Sequence, residues 1–333
     1  MIDKHHNQAD QDPAIHEGTK NIKTQMSAKQ SKSKAKRKRT IGLTISYIVL
    51  IILAIIWLYP IMWIVLHSFR TEYLDGFWVG TIYSDYIPHS FGLETYRRLF
   101  LEYQRGTYDI LFFSYEGGIF IKWFYNTLIV AIFSFVLSTI LQLSVAYVMS
   151  KIKFPSRKKF LNIAIILGLF PGFMSMIAIY FILKAMGLTG SLFALVLVYS
   201  AGSGLGFYIA KGFFDIIPNS LVEAAKIDGA TNAKIFTSII LPISKPIIIY
   251  TALMTFIGPW MDFIFARVIL GEANREIHTV AIGLFDMMYG RHIDKNLFTL
   301  FAAGSVIVAL PIMILFMSMQ RYYVEGVTSG SVK

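Results

Sequence analysis

Apolar residues run together along this chain in long blocks, with polar residues confined to its start and to the segments between blocks. About 20 consecutive apolar residues, coiled as a helix, cross the ~30 Å hydrocarbon core of a bilayer. Six blocks meet that length, at about 41–66, 121–149, 160–183, 192–213, 239–265 and 297–319. The pattern therefore predicts an all-α polytopic membrane protein whose membrane domain, 41–319, holds six transmembrane helices. Trp57, Tyr59 and Trp63 lie toward the far end of the first block, where interfacial aromatics gather. The longer polar segments are 67–120, 215–238 and 266–297, and a short tail, 320–333, closes the chain.

Composition agrees with this reading. Apolar residues make up 55% of the 333 positions and charged residues 15%, against about 25% charged in a soluble domain. The charges also orient the chain. Residues 1–40 are polar and end in the basic run Lys29–Arg39, which predicts a disordered cytoplasmic tail beside anionic headgroups. The segment is too long and polar, and the block after it too long, for a cleavable signal peptide. The 151–159 loop carries five bases and no acid, whereas 67–120 is rich in acids. Basic loops stay on the cytoplasmic side, so 67–120 and 266–297 face out and 215–238 faces in. Six spans then place both termini in the cytoplasm.

Other chemistry is sparse. The formal charge of +11 sits beside membrane spans and accompanies no nucleic-acid motif. Cysteine is absent, which excludes disulfides and thiolate metal sites. No phosphate-binding Gly-x-x-x-x-Gly-Lys-Ser/Thr loop and no His-Glu-x-x-His pair occur. The chain is expected to have no catalytic residue and not to be an enzyme. Pro171 interrupts the third span, and broken backbone at membrane depth persists where protein or a watery cavity satisfies it; Pro171 is thus a pathway candidate. Asn126, Gln142 and Asn162 read as polar helix–helix contacts, and Asp262 as an interfacial helix-end residue.

The segment 215–242 carries the most local information. Pro218 and Ser220 are helix-start residues, and 221–228 favours a short helix. Leu221, Ala224, Ala225 and Asp228 recur at helical spacing and form a small-residue face. Gly229 is a natural helix stop, Thr231 can cap a second helix, and Pro242 lies near the start of the next span. Together they predict a helix–turn–helix elbow at the cytoplasmic surface.

Glu223-Ala224-Ala225, then Gly229, Ile239 and Leu241-Pro242, resemble the EAA motif of binding-protein-dependent ABC permeases. The likeness extends from roughly residue 44 to the end and is strongest to the carbohydrate branch, the MalG-type subunit of maltose and maltodextrin importers. It implies the six-helix type I importer fold and a plasma membrane of a prokaryote. It also implies three kinds of partner: a second, MalF-like permease, an ATPase dimer, and an extracytoplasmic sugar-binding protein. Glu223, Ala224, Ala225, Asp228 and Gly229 would form the ATPase-coupling loop. Gly326, Gly330 and Lys333 would belong to a tail that reaches the ATPase. The 266–297 loop, with its tip at Gly271, Glu272, Ala273, Asn274 and Arg275, would meet the binding protein. No cofactor is expected on this chain, because ATP and magnesium belong to the ATPase. The implied cargo is an oligosaccharide, with maltodextrin first and galacto-oligosaccharide or raffinose-type sugars as alternatives. A secondary transporter, the rival class, would show internal repeats and ionisable residues near mid-membrane.

Overall fold

The computed structural model describes residues 13–71, 73–74, 77–78, 87–110, 113–169, 172–201, 206–289 and 297–329. Side chains are described for 40–71, 87–110, 113–169, 172–201, 206–289 and 297–320. The chain divides into two units, Met1–Trp63 and Ile64–Lys333.

The first unit is helical wherever it is described. Helix α1 runs from Pro13 to Ser68 and so continues into the second unit. Its apolar part, Thr40–Ser68, is 29 residues long and sufficient to cross a bilayer. Residues 13–39, whose composition reads as a disordered tail, extend this helical backbone. Lys is the commonest residue there, and Lys, Ala, Arg and Gln together make up 14 of the 27 positions. Each is a good helix former, and propagation from a helix already nucleated is easy.

In the second unit the 67–120 segment folds. Strands β1 (Tyr73–Leu74) and β2 (Phe77–Trp78) pair antiparallel. Helix α2 (Glu94–Leu101) follows, and then a hairpin of β3 (Gly106–Ile110) and β4 (Phe113–Gly117). Thr95 donates to the Arg70 carbonyl at 2.8 Å and Tyr96 to Ser68 Oγ at 2.8 Å, which ties α2 to the end of α1.

The spans come next. Helix α3 (Ile119–Lys151) has 33 residues, about 50 Å at 1.5 Å per residue. Helices α4 (Arg157–Gly168) and α5 (Gly172–Ala185) meet at 102°, so the predicted third span is two helices; Pro171, between them, lies outside the described residues. Helices α6 (Leu192–Ala201) and α7 (Gly206–Ile216) form the fourth.

After them come the short helices α8 (Asn219–Ile227) and α9 (Asn232–Ile235), a π-helical stretch Phe236–Ile240, and α10 (Leu241–Ile243). The chain then bends by 88° at Ser244 into α11 (Lys245–Met261). The predicted fifth span, from about 239, is thus broken at Ser244 rather than continuous. Pro242 lacks the N–H that an α-helix would bond back to residue 238. The Leu241 amide reaches the Phe236 carbonyl instead, in the i→i+5 spacing of a π-turn.

Beyond α11, residues 266–289 of the predicted 266–297 loop are more ordered and more apolar than a polar loop. It contains most of α12 (Ile264–Leu270), a 3₁₀ turn at Arg275–Ile277, and α13 (Val280–Tyr289). Helix α14 (Phe298–Ser329) forms the last span and carries the helix on into the predicted tail. The described residues thus hold four helices long enough to cross a membrane, and six crossings when each bent pair counts as one.

Three apolar clusters organise the second unit. One joins Leu99, Tyr108, Phe120 and Trp123 to Trp260, Val280 and Leu300. A second joins Val130, Leu183 and Leu195 to Ala266, Ile269 and Ile282. The third joins Leu143 and Tyr147 near the other end of α3 to Phe214, Val222, Ala225, Ile235, Ile240 and Ile247. Helix α3 contributes to all three. It is the rod that links the 271–280 region at one end to the α8 elbow at the other.

Candidate coupling site

The elbow forms because its sequence leaves the backbone few alternatives. Pro218 sits in extended geometry before α8, and its missing N–H costs nothing at a helix start. Gly229 adopts φ +79°, a left-handed conformation that costs other residues about 1–2 kcal/mol. The Ala230 amide closes back on the Ala225 carbonyl at 2.9 Å and the Gly229 amide on Lys226 at 3.0 Å. Thr231 Oγ1 accepts from the Lys234 amide at 3.3 Å and caps α9.

Side-chain placement divides the small-residue face in two. Val222 and Ala225 are buried, packed with Ile217, Ile235 and Ile240 against α3 and α7. Leu221, Glu223, Ala224 and Asp228 are exposed, as is Gly229. Ala225 therefore faces the protein's own core, while Glu223 and Ala224 face outward. Ile227, 86% exposed, joins them, a position that helical spacing alone does not mark.

Polar contacts lock the elbow to the spans. Lys151, at the end of α3, donates to the Ile217 carbonyl at 2.6 Å and to Asn219 Oδ1 at 3.1 Å. Ser150 donates to Asp215 Oδ1 at 2.6 Å, and Lys211 pairs with Asp215 Oδ2 at 2.5 Å. Tyr147 and Phe236 place their ring centroids 4.9 Å apart. A displacement of α8 must therefore carry the end of α3 with it.

The opposite end of α3 holds the predicted loop tip. Glu272, Ala273, Asn274 and Arg275 are exposed and Gly271 half-buried. Trp123 Nε1 donates to the Arg275 carbonyl at 2.8 Å, and Asn126 Nδ2 to the carbonyls of Glu276 at 2.6 Å and His278 at 2.9 Å. Thr127 Oγ1 accepts from the Val280 amide at 2.8 Å. Asn126 is thus a loop clamp rather than a contact between spans, while Asn162 is exposed. Arg267 pairs with Asp286 at 2.5 Å and with Glu272 at 3.0 Å, and these carboxylates raise its pKa further. His278 is buried beneath them, and its Nε2 lies 3.1 Å from the Gly271 carbonyl. Burial lowers its pKa below the ordinary value of about 6.5. Gly326 falls within α14, but its surroundings, like Gly330 and Lys333, lie outside what is described.

Residues 124–329 match the family model of the binding-protein-dependent transport system inner membrane component. The chain belongs to this family. The permease is 31% identical over 299 residues to the galactooligosaccharides transport system permease protein GanQ of Bacillus subtilis, with 90% of this chain and 98% of that protein covered. It is also 31% identical over 301 residues to the maltodextrin transport system permease protein MalD of Streptococcus pneumoniae, with 90% and 98% covered. Its fold matches a chain in the crystal structure of a bacterial ABC transporter involved in import of the acidic polysaccharide alginate. The TM-score there is 0.69 at 22% identity, covering 86% of this permease and 97% of that chain. The permease is therefore a multi-pass membrane protein with the ABC importer permease fold, related to the carbohydrate-branch subunits. Family members are transport subunits and not enzymes. Among the described residues no group of three His, Cys, Asp or Glu side chains could hold a metal ion.

Proposed function

We propose that this permease forms half of the translocation pathway of an ATP-driven importer for oligosaccharides, with maltodextrins the first cargo to test. A MalF-like permease would complete the pathway, an ATPase dimer would power it, and an extracytoplasmic binding protein would deliver the sugar. The observation that carries this reading is the division of α8. Its inner face, Val222 and Ala225, is built into the core at the end of α3, and its outer face presents Glu223 and Ala224. A helix so built converts a push from a docked partner into rigid-body motion of the spans, a common form of switching transition. Galacto-oligosaccharides are the second cargo, because relatives named for the two sugars share the same 31% identity.

The test is uptake by the reconstituted complex. Glu223→Ala should leave the permease inserted and assembled with its partner permease, yet cut ATP-coupled sugar uptake about tenfold or more. That is the loss of one charge-assisted contact of about 1.5–3 kcal/mol. Gly229→Val should do the same by opening the elbow. Normal ATP-coupled uptake in both variants would overturn the coupling role. A wild-type complex that moves neither maltodextrin nor galacto-oligosaccharide would overturn the cargo.

A further inference from the structure

A cavity of about 670 Å³ opens among α3, α5, α6, α7, α11 and α12, away from both the elbow and the outer loop. The volume falls within the range of about 300–1,000 Å³ usual for small-molecule sites. Its long wall is one face of α11. Thr251, Thr255 and Asp262 line it from end to end at spacings of four and seven residues, which keep them on one side of the helix, and Tyr250 lies beside them. The twelve steps from Tyr250 to Asp262 make a slot about 18 Å long. Gln142, on α3, faces the same space.

The chemistry of the slot selects its cargo. Asp262 Oδ2 accepts from Tyr199 Oη at 2.9 Å, and its Oδ1 accepts from the Phe265 amide at 3.0 Å. A carboxylate has about four lone-pair sites, so this one is held in place with acceptor capacity to spare. Tyr199 Oη, which donates to the carboxylate, keeps its own lone pairs for an incoming hydroxyl. Thr251, Thr255 and Tyr250 add further hydroxyl groups, and the rings of Phe173 and Phe265 add flat apolar surface. Among the described lining residues there is no Lys, Arg or His, which disfavours an anionic cargo, and only one carboxylate, which disfavours a cation. Polar groups gathered on one face of a spanning helix are costly in lipid and mark a substrate path.

We propose that this slot is a sugar-contact site belonging to this permease itself, in which Asp262, Tyr199 and Thr255 bind hydroxyl groups of a neutral oligosaccharide in transit. The proposal rests on the oligosaccharide reading above and adds that the cargo touches this subunit as well as its partner permease. Asp262 is accordingly a specificity-determining residue, not merely a helix end.

The experiment uses the full complex in proteoliposomes, with maltotriose and a galacto-oligosaccharide as radiolabelled probes. Tyr199→Phe, Thr255→Val and Asp262→Asn each change one polar group while nearly preserving shape, and Asn still caps α12. Asp262→Asn should lower sugar moved per ATP hydrolysed about tenfold, and the other two by several-fold. Binding-protein-stimulated ATP hydrolysis should stay near wild type, because the elbow and the outer loop are intact. At least one variant should also shift the ratio of maltotriose to galacto-oligosaccharide uptake. If Asp262→Asn fails to assemble with its partners, the other two variants carry the test. Wild-type transport per ATP and an unchanged sugar ratio in the assembled variants would overturn the site while leaving the proposed function standing. Failure of the wild-type complex to move either sugar would remove both.

Discussion

Gly283 is set by contact rather than by backbone conformation. A Cβ built there would lie 2.0 Å from Trp123 Cε3, and the indole is itself fixed by its bond to the Arg275 carbonyl. Gly283→Ala should therefore destabilise the permease by about 1–3 kcal/mol, the usual penalty of overpacking. A lowered apparent Tm of the purified protein checks this; an unchanged Tm would show that α13 shifts freely. Such a residue is invisible in the sequence because its partner lies 160 positions away. Gly229 and Thr231 were legible because turn and cap chemistry is local. Ala225 was only half legible: spacing put it on a face with Ala224, but which direction each side chain takes depends on where α3 and α7 pass.

Hydropathy reveals an element's length and conceals its bends. The third and fifth spans read as continuous apolar runs, yet they break by 102° and 88°. Pro242, beside the second break, carries no polarity that would mark it in a hydropathy pattern. The β3–β4 hairpin was missed for the opposite reason, since ten ordered residues inside a long polar segment carry no spanning signal. The element built from α12, the 3₁₀ turn and α13 has its own titratable centre. Around His278 stand Asp286 at 3.9 Å, Arg267 and Arg275, with the Gly271 carbonyl on its other nitrogen. Asp286 favours the imidazolium, but Arg267 already occupies that carboxylate, so desolvation prevails and the neutral ring is preferred. A His whose folded pKa is lowered binds fewer protons folded than unfolded, so stability rises with pH across the window between the two values. The element should be fully stable above about pH 6.5 and loosen as pH falls from there toward the lowered value. Hydrogen exchange at 271–280 should accelerate on acidification through that window and be insensitive to it in His278→Gln. Equal acceleration in both proteins would assign the effect to another group.

For the whole molecule, loop charge predicts a topology that the absence of cysteine makes simple to test. In the proposed orientation Glu116, on β4, lies outside and Lys226, on α8, inside; both are exposed. A membrane-impermeant maleimide should label Glu116→Cys in intact cells and Lys226→Cys only in inverted vesicles. Labelling of both from one side would overturn the six-crossing arrangement. Fold class and the number of crossings were legible because lipid imposes one rule on every span. The cavity along α11 was not, because it needs six helices brought together. The π-turn at Phe236–Ile240 has a consequence for the register of the whole permease. It holds one residue more than an α-helical path would need, and each residue of an α-helix turns the chain by about 100°. Losing Thr237 or Ser238 there would leave every named side chain of the motif, from Glu223 to Pro242, chemically intact. It would also turn α9, and the elbow joined to it, by roughly 100° about the axis of the π-helical stretch, taking Glu223 away from any partner that reads it. For this family member an in-frame deletion in an unremarkable stretch would be a more damaging lesion than most substitutions in the motif itself.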